Sequence, residues 1–190
     1  MLILKLLHDA QIGALYASGM RRDFPPSELK SLASILKMKH RGMYDVLGAY
    51  REDGELAAYA LVYRPAIGRA VLLDYLAVEP AYRHAGVGSL LLAQLRAHYA
   101  AVADVLLIEC ERPKAAPDET QARERIRFYT KAGAQLTSVR ILLFGVEYSI
   151  LALPCTEGLP PLDWAQTMLA LYRQMLPEAL FNRNVRLIRG

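Results

Sequence analysis

The residues best placed to do chemistry run from Leu73 to Gly88, as Leu-Asp-Tyr-Leu-Ala-Val-Glu-Pro-Ala-Tyr-Arg-His-Ala-Gly-Val-Gly. An apolar strand enters Glu79-Pro80, and Arg83-x-x-Gly86-x-Gly88 then opens a Leu-rich helix. That order builds a cradle for a pyrophosphate. Small glycines admit a ligand close to the backbone, and a helix start aims free N–H groups and the positive end of its dipole at an anion. Arg83 adds a charge-assisted donor for the same phosphates. The competing interpretation is a glycine-rich strand-to-helix turn with no ligand. The flanking sequence has to decide between them.

Two familiar phosphate motifs do not fit. No Gly-x-x-x-x-Gly-Lys-Ser/Thr run exists, and Gly86-Val87-Gly88-Ser89-Leu90-Leu91 puts leucine where a dinucleotide fingerprint needs its third glycine. What remains, Arg/Gln-x-x-Gly-x-Gly/Ala, resembles the coenzyme A loop of the GNAT acetyltransferase superfamily. The resemblance implies that Arg83, His84, Ala85, Gly86, Val87, Gly88 and Ser89 surround the pyrophosphate of acetyl-CoA. It also implies that Leu76, Ala77 and Val78 pair with the pantetheine amides as an added strand would. His84 reads equally well as a solvated loop histidine. Farther on, Arg127-Phe128-Tyr129-Thr130-Lys131-Ala132-Gly133 resembles the Tyr-x-x-x-Gly segment that the family places with its tyrosine hydroxyl near the coenzyme sulfur. One departure stands out. Many members carry an asparagine before this helix, whereas the only asparagines here are Asn182 and Asn184, so contact from that position falls to Arg123 or to backbone.

The elements that must position these groups follow from periodicity. Helical spacing covers 9–20 and 26–39, with a break at Asp23-Phe24-Pro25-Pro26-Ser27. Strand-like runs Tyr44–Arg51 and Glu55–Tyr63 flank Asp53-Gly54, a hairpin signal, and Arg69–Val78 leads into the loop. A helix carries Val87, Leu91, Leu95 and Tyr99 on one face. A buried strand at Asp104–Cys110, a helix at Gln121–Ala132 closed by Gly133, and strands Ala134–Phe144 and Val146–Leu153 follow. Pro160-Pro161 starts a terminal helix. The fold class is α/β, a mixed sheet of the α+β kind, in the order β-α-α-β-β-β-α-β-α-β-β with an extra C-terminal helix. This order matches the GNAT fold over residues 1–153, leaving 154–190 as a helix and tail packed on the same domain or at a dimer interface.

Composition narrows the function further. Apolar residues make up 54% and charged residues 22%, enough for a substantial core. The net charge of +4 is spread out, apart from Arg183, Arg186 and Arg189 and a group around Arg112, Lys114, Arg123, Arg125 and Arg127. No basic stripe with interleaved aromatics points to nucleic acid, and no apolar run reaches membrane-spanning length. The four histidines and two cysteines have no metal-ligand spacing, so no metal is expected. A cytoplasmic protein, monomeric or homodimeric, is the expectation.

Amine acetylation needs a deprotonated amine, a donor for the oxyanion and a proton for the departing thiolate. Tyr129 suits the last role, since a phenol is protonated at neutral pH. The Val78 N–H is the candidate oxyanion donor. For the base, Glu109 within the buried strand, Glu79 at the strand end, and water all stand open. Cys110 and Cys155 lack a nucleophile setting. The expected function is an acetyl-CoA-dependent N-acetyltransferase acting directly on an amine of a small molecule or peptide. A catalytically silent acyl-CoA-binding protein is the alternative. Phe24, Tyr16, Tyr44, Phe144 and Tyr148 are candidates for the acceptor pocket.

Overall fold

The computed structural model describes residues 2–188, so Arg189 of the basic tail lies outside it. Among the described residues eight strands, numbered in chain order, hydrogen-bond in the order β1-β2-β3-β4-β5-β7-β6-β8. The chain divides into two compact units, and strand β4 (Ala70–Val78) contributes residues to both.

The first unit comprises the residues up to Arg64 together with Asp74–Gln94. Its strand β1 (Ile3–Leu6) lies antiparallel to β2 (Tyr44–Tyr50), which pairs antiparallel with β3 (Leu56–Tyr63). Ala57–Tyr63 is buried throughout, as an unbroken apolar run predicts for a strand covered on both faces. The expected hairpin turns at Gly54, where φ is 88° and the N–H donates to the Arg51 carbonyl.

Helix α1 (Asp9–Leu15) starts in a capping box: His8 accepts from the Gln11 N–H while the Gln11 side chain accepts from the His8 N–H. It continues through a π-helical turn, Tyr16–Met20, into Arg21–Asp23, past the end that periodicity predicts. Helix α2 (Leu32–His40) is shorter than the expected 26–39. It begins only at Ser31, whose hydroxyl caps the Ser34 N–H at 3.2 Å. The reason is a tertiary contact that overrides local propensity. The Tyr75 hydroxyl donates to the Glu28 carbonyl at 2.6 Å and accepts from the Lys30 N–H at 3.0 Å, occupying backbone groups that a helical turn would use.

After β4, a 3₁₀ turn (Pro80–Tyr82) and the glycine loop lead into helix α3 (Val87–Tyr99), whose Leu91, Leu92, Leu95 and Tyr99 are buried. The second unit comprises Pro65–Leu73 and the chain from Leu95 onward. There β4 runs parallel to β5 (Val105–Glu111), from Ala70 opposite Val105 to Leu73 opposite Ile108. Strand β5 pairs antiparallel with β7 (Val146–Pro154), and β7 with β6 (Gln135–Leu143). Helix α4 (Glu119–Lys131) starts earlier than the pattern predicts because Asp118 caps the Gln121 N–H at 2.9 Å. Gly133, at φ 97°, closes it as expected. The tail is richer than one helix: α5 (Trp164–Met175) is followed by α6 (Glu178–Asn184) and a short β8 (Val185–Leu187) antiparallel to β6. A strand so short carries too little alternation to be read from sequence.

Candidate functional site

Strand β4 carries the first group of candidate residues. Its burial alternates toward the end, with Asp74, Leu76 and Val78 half-buried and Tyr75 and Ala77 buried, the two-residue period of a strand.

Beyond Tyr82 the backbone takes an unusual path. His84 and Gly86 have φ of 63° and 77°, with Ala85 between them on the ordinary negative side. Negative and left-handed residues in succession are the backbone pattern from which anion-binding concavities are built. The Leu90 N–H donates to the Gly86 carbonyl at 3.1 Å, starting the helical ladder. The N–H groups of Val87, Gly88 and Ser89 precede it, in the position where helices leave donors without an intrahelical acceptor. A Cβ on Gly86 would meet nothing within 4 Å, so glycine serves the dihedral angle there and not clearance. Arg83, His84, Ala85 and Gly86 are exposed, and Gly88 is buried.

Arg83 is not simply a free phosphate donor. Its Nε donates to the Val78 carbonyl at 3.0 Å, and Nη2 pairs with Asp23 Oδ1 at 2.9 Å. Asp23 is 4% exposed and also accepts both guanidinium donors of Arg22, at 2.9 and 2.7 Å, and the Tyr59 hydroxyl at 2.9 Å. Arg22 reaches Glu79 Oε2 at 2.8 Å with its remaining nitrogen. Burial pulls the Asp23 carboxyl upward, but the hydrogen bonds from Arg22 and Tyr59 and the charges of Arg22 and Arg83 outweigh it and hold it below its ordinary value. Burial, then the contact with Asp23, pushes the Tyr59 hydroxyl far above the usual phenol range. The network ties the end of helix α1 to the strand end and the loop. In the sequence, Asp23 registers only as part of a helix break, and its pairing with a residue in the loop leaves no local signal. Glu79, a candidate base, is ion-paired with Arg22.

The second unit holds the remaining candidates. On α4, Ala122 and Tyr129 are buried and Ile126 is half-buried, the inward face expected from their spacing. Phe128 meets the Tyr129 ring edge-on at 4.9 Å. Burial, with a smaller contribution from Cys110, raises the Tyr129 hydroxyl well above the ordinary phenol value, so it stays protonated at neutral pH. Glu109 sits on β5 opposite Ile150 and is half-buried, with one carboxylate oxygen closed to solvent. Burial pushes the Cys110 thiol up to about 12 and the Cys155 thiol up to about 11, which leaves both as inert thiols. Arg123, the substitute for the missing asparagine, is hydrogen-bonded to Glu119 one turn back.

The aromatic candidates separate. Phe24 packs edge-on against Tyr75 at 4.9 Å, and Tyr44 is core. Tyr16 and Tyr148 are half-buried, and Phe144 is 54% exposed at the β6–β7 turn with φ 49°. Among the described residues no group of His, Cys, Asp or Glu could hold a metal ion, and no helix is long and apolar enough to cross a membrane.

Residues 44–133 match the family model described as an acetyltransferase (GNAT) domain. No curated protein sequence matches the chain. Among solved structures, the ribosomal-protein-S18-alanine N-acetyltransferase from Escherichia coli has a TM-score of 0.61 and 21% identity, over 86% of this chain and 100% of its own. Spermidine N-acetyltransferase from Vibrio cholerae, solved with CoA and spermine, has a TM-score of 0.62 and 10% identity, over 80% of this chain and 95% of its own. The yncA protein of Salmonella typhimurium, solved with acetyl-CoA, has a TM-score of 0.59 and 18% identity, over 86% of this chain and 99% of its own. At such identities the likeness is one of fold.

Proposed function

We propose that this chain, whose residues 44–133 match the GNAT acetyltransferase domain model, is an acetyl-CoA-dependent N-acetyltransferase. The acetyl group passes directly to an amine of a small molecule or peptide. The observation that carries this reading is the Arg83–Gly86 turn, where positive φ at His84 and Gly86 leads into the open first turn of α3. A concavity of N–H groups at a helix start suits a diphosphate. Arg83 holds the loop through Val78 and Asp23 and keeps 47% of its side chain exposed for a phosphate oxygen.

In the reaction, the amine nitrogen bonds to the acetyl carbonyl carbon and the carbon–sulfur bond breaks. The Val78 N–H steadies the oxyanion. The thiolate takes the proton of the Tyr129 hydroxyl, which burial keeps in place until the sulfur needs it. The proton lost by the amine passes to Glu109 or to water.

Calorimetric titration with acetyl-CoA, with NAD and ATP as controls, tests the cofactor. Micromolar binding of acetyl-CoA alone, abolished by Gly88→Trp, supports the reading, and an amine screen by thiol release then follows. Folded protein that ignores acetyl-CoA overturns it. Binding without turnover of any amine assigns the chain to silent acyl-CoA binding.

A further inference from the structure

Asp74 is a buried carboxylate of β4, with 7% of its side chain exposed. Lys30 Nζ lies 2.8 Å from each of its oxygens, and the Tyr44 hydroxyl donates to one of them. The same ammonium sits 5.4 Å from the centre of the Tyr75 ring. A carboxylate, a phenol and an aromatic face together make a receptor for a primary ammonium. Its present occupant is the end of a four-methylene chain supplied by the protein itself.

That occupant is partly open to solvent. Lys30 belongs to the irregular stretch between the first two helices, and its side chain is 26% exposed. The stretch is held to β4 by the two Tyr75 bonds to Glu28 and Lys30 and by Phe24 against the Tyr75 ring.

Position along the strand gives the site its use. Asp74, Leu76 and Val78 share the less buried row of β4. At a rise of about 3.3 Å per residue, Asp74 lies about 7 Å from Leu76 and about 13 Å from Val78 along the strand. If residues 76–78 receive the thioester, as the proposed function requires, a reacting amine there leaves a second amine of the same molecule within reach of Asp74. We propose that Asp74, with Tyr44, selects an acceptor bearing two amines, a linear diamine or polyamine whose far ammonium displaces Lys30. Lys30 keeps the receptor closed to molecules with a single amine, because the reacting group alone gains nothing by displacing it.

Calorimetry with 1,4-diaminobutane and n-butylamine tests this without relying on turnover, on wild type, Lys30→Met and Asp74→Asn proteins whose folding is checked by thermal unfolding. The diamine should bind wild type more tightly than butylamine. Lys30→Met should tighten the diamine about tenfold, and Asp74→Asn should weaken it about tenfold, as loss of one charge-assisted contact implies. No preference for the diamine in wild type, or Lys30→Met that fails to tighten it, overturns the inference even if Asp74→Asn does not fold. The same binding pattern without acetyl transfer would refute the proposed function and leave this site standing. Acetylation of other amines without the pattern would do the reverse.

Discussion

Asp23 and Arg83 stand 60 positions apart in the chain yet meet at 2.9 Å, Oδ1 to Nη2, with Asp23 almost wholly buried. The pair joins the last turn of the first helix to the loop proposed to hold the coenzyme. It also gives the motif arginine a mechanical role, with one nitrogen on Asp23 and another on the Val78 carbonyl. Replacing Asp23 with asparagine keeps the shape and removes the charge that two guanidinium groups share. We expect a loss of about 2 kcal/mol in urea unfolding, moderated by the exposure of both arginines, together with weaker acetyl-CoA binding. Unchanged affinity would mean that the loop holds its form without this tie.

The same carboxylate sets an acid limit. Asp23 titrates lower in the folded chain than in the unfolded one, so the folded state binds fewer protons as the pH drops. Its stabilisation is complete above about pH 4 and is lost as the pH falls through the folded value. Thermal midpoints across this range should fall more steeply for wild type than for Asp23→Asn. Parallel curves would remove Asp23 from the acid response.

Gly86→Ala should separate conformation from space. Open volume surrounds the position, so the cost is that of holding alanine at φ 77°, about 1–2 kcal/mol. The expected result is a folded protein with a lower thermal midpoint and reduced acetyl-CoA affinity. Retention of both would show that the loop does not need its left-handed residue.

Tyr129→Phe should lower kcat about 100-fold, the scale of one general acid, with acetyl-CoA affinity close to wild type. Because burial raises the hydroxyl well above the ordinary phenol range, the wild-type pH–rate profile should show no alkaline fall from this residue near pH 9–10, roughly where an exposed tyrosine would begin to ionise. Unchanged kcat would assign Tyr129 to packing alone.

Cys110 and Cys155 are both buried thiols with raised values, and the sequence contains no other cysteine. A disulfide reagent at mild alkaline pH should therefore modify neither in the native protein and both after denaturation. Rapid labelling of one native thiol would reopen the question of a nucleophile.

What the sequence made legible was whatever repeats at a fixed spacing or needs a special dihedral angle. The alternation of β2 and β3, the hairpin glycine at Gly54, the helix-closing Gly133 and the glycines after Arg83 all announce themselves locally. Two of the differences share a physical origin, a side chain reaching across the fold. Tyr75 takes the backbone of Glu28 and Lys30 and delays the second helix. Asp118 starts helix α4 early by capping, which its place just before Glu119 could have signalled. The tie of Arg83 to Asp23 has no sign near either residue in the chain. Tyr129, by contrast, falls on the inward face of its helix because Ala122 and Ile126 mark that face in advance.

Helix α1 reaches Arg22 and Asp23 only by way of the π-helical turn Tyr16–Met20. Such a turn houses one residue more than regular winding would, and each residue of an α-helix advances the side chains by about 100°. The stretch is therefore sensitive to length in a way its composition does not disclose. Exchanging one residue for another of similar size leaves the winding intact. Deleting a single residue would give a more regular helix and swing Asp23 away from Arg83. Homologues that have lost that extra residue would have to anchor the loop from a different place in the chain.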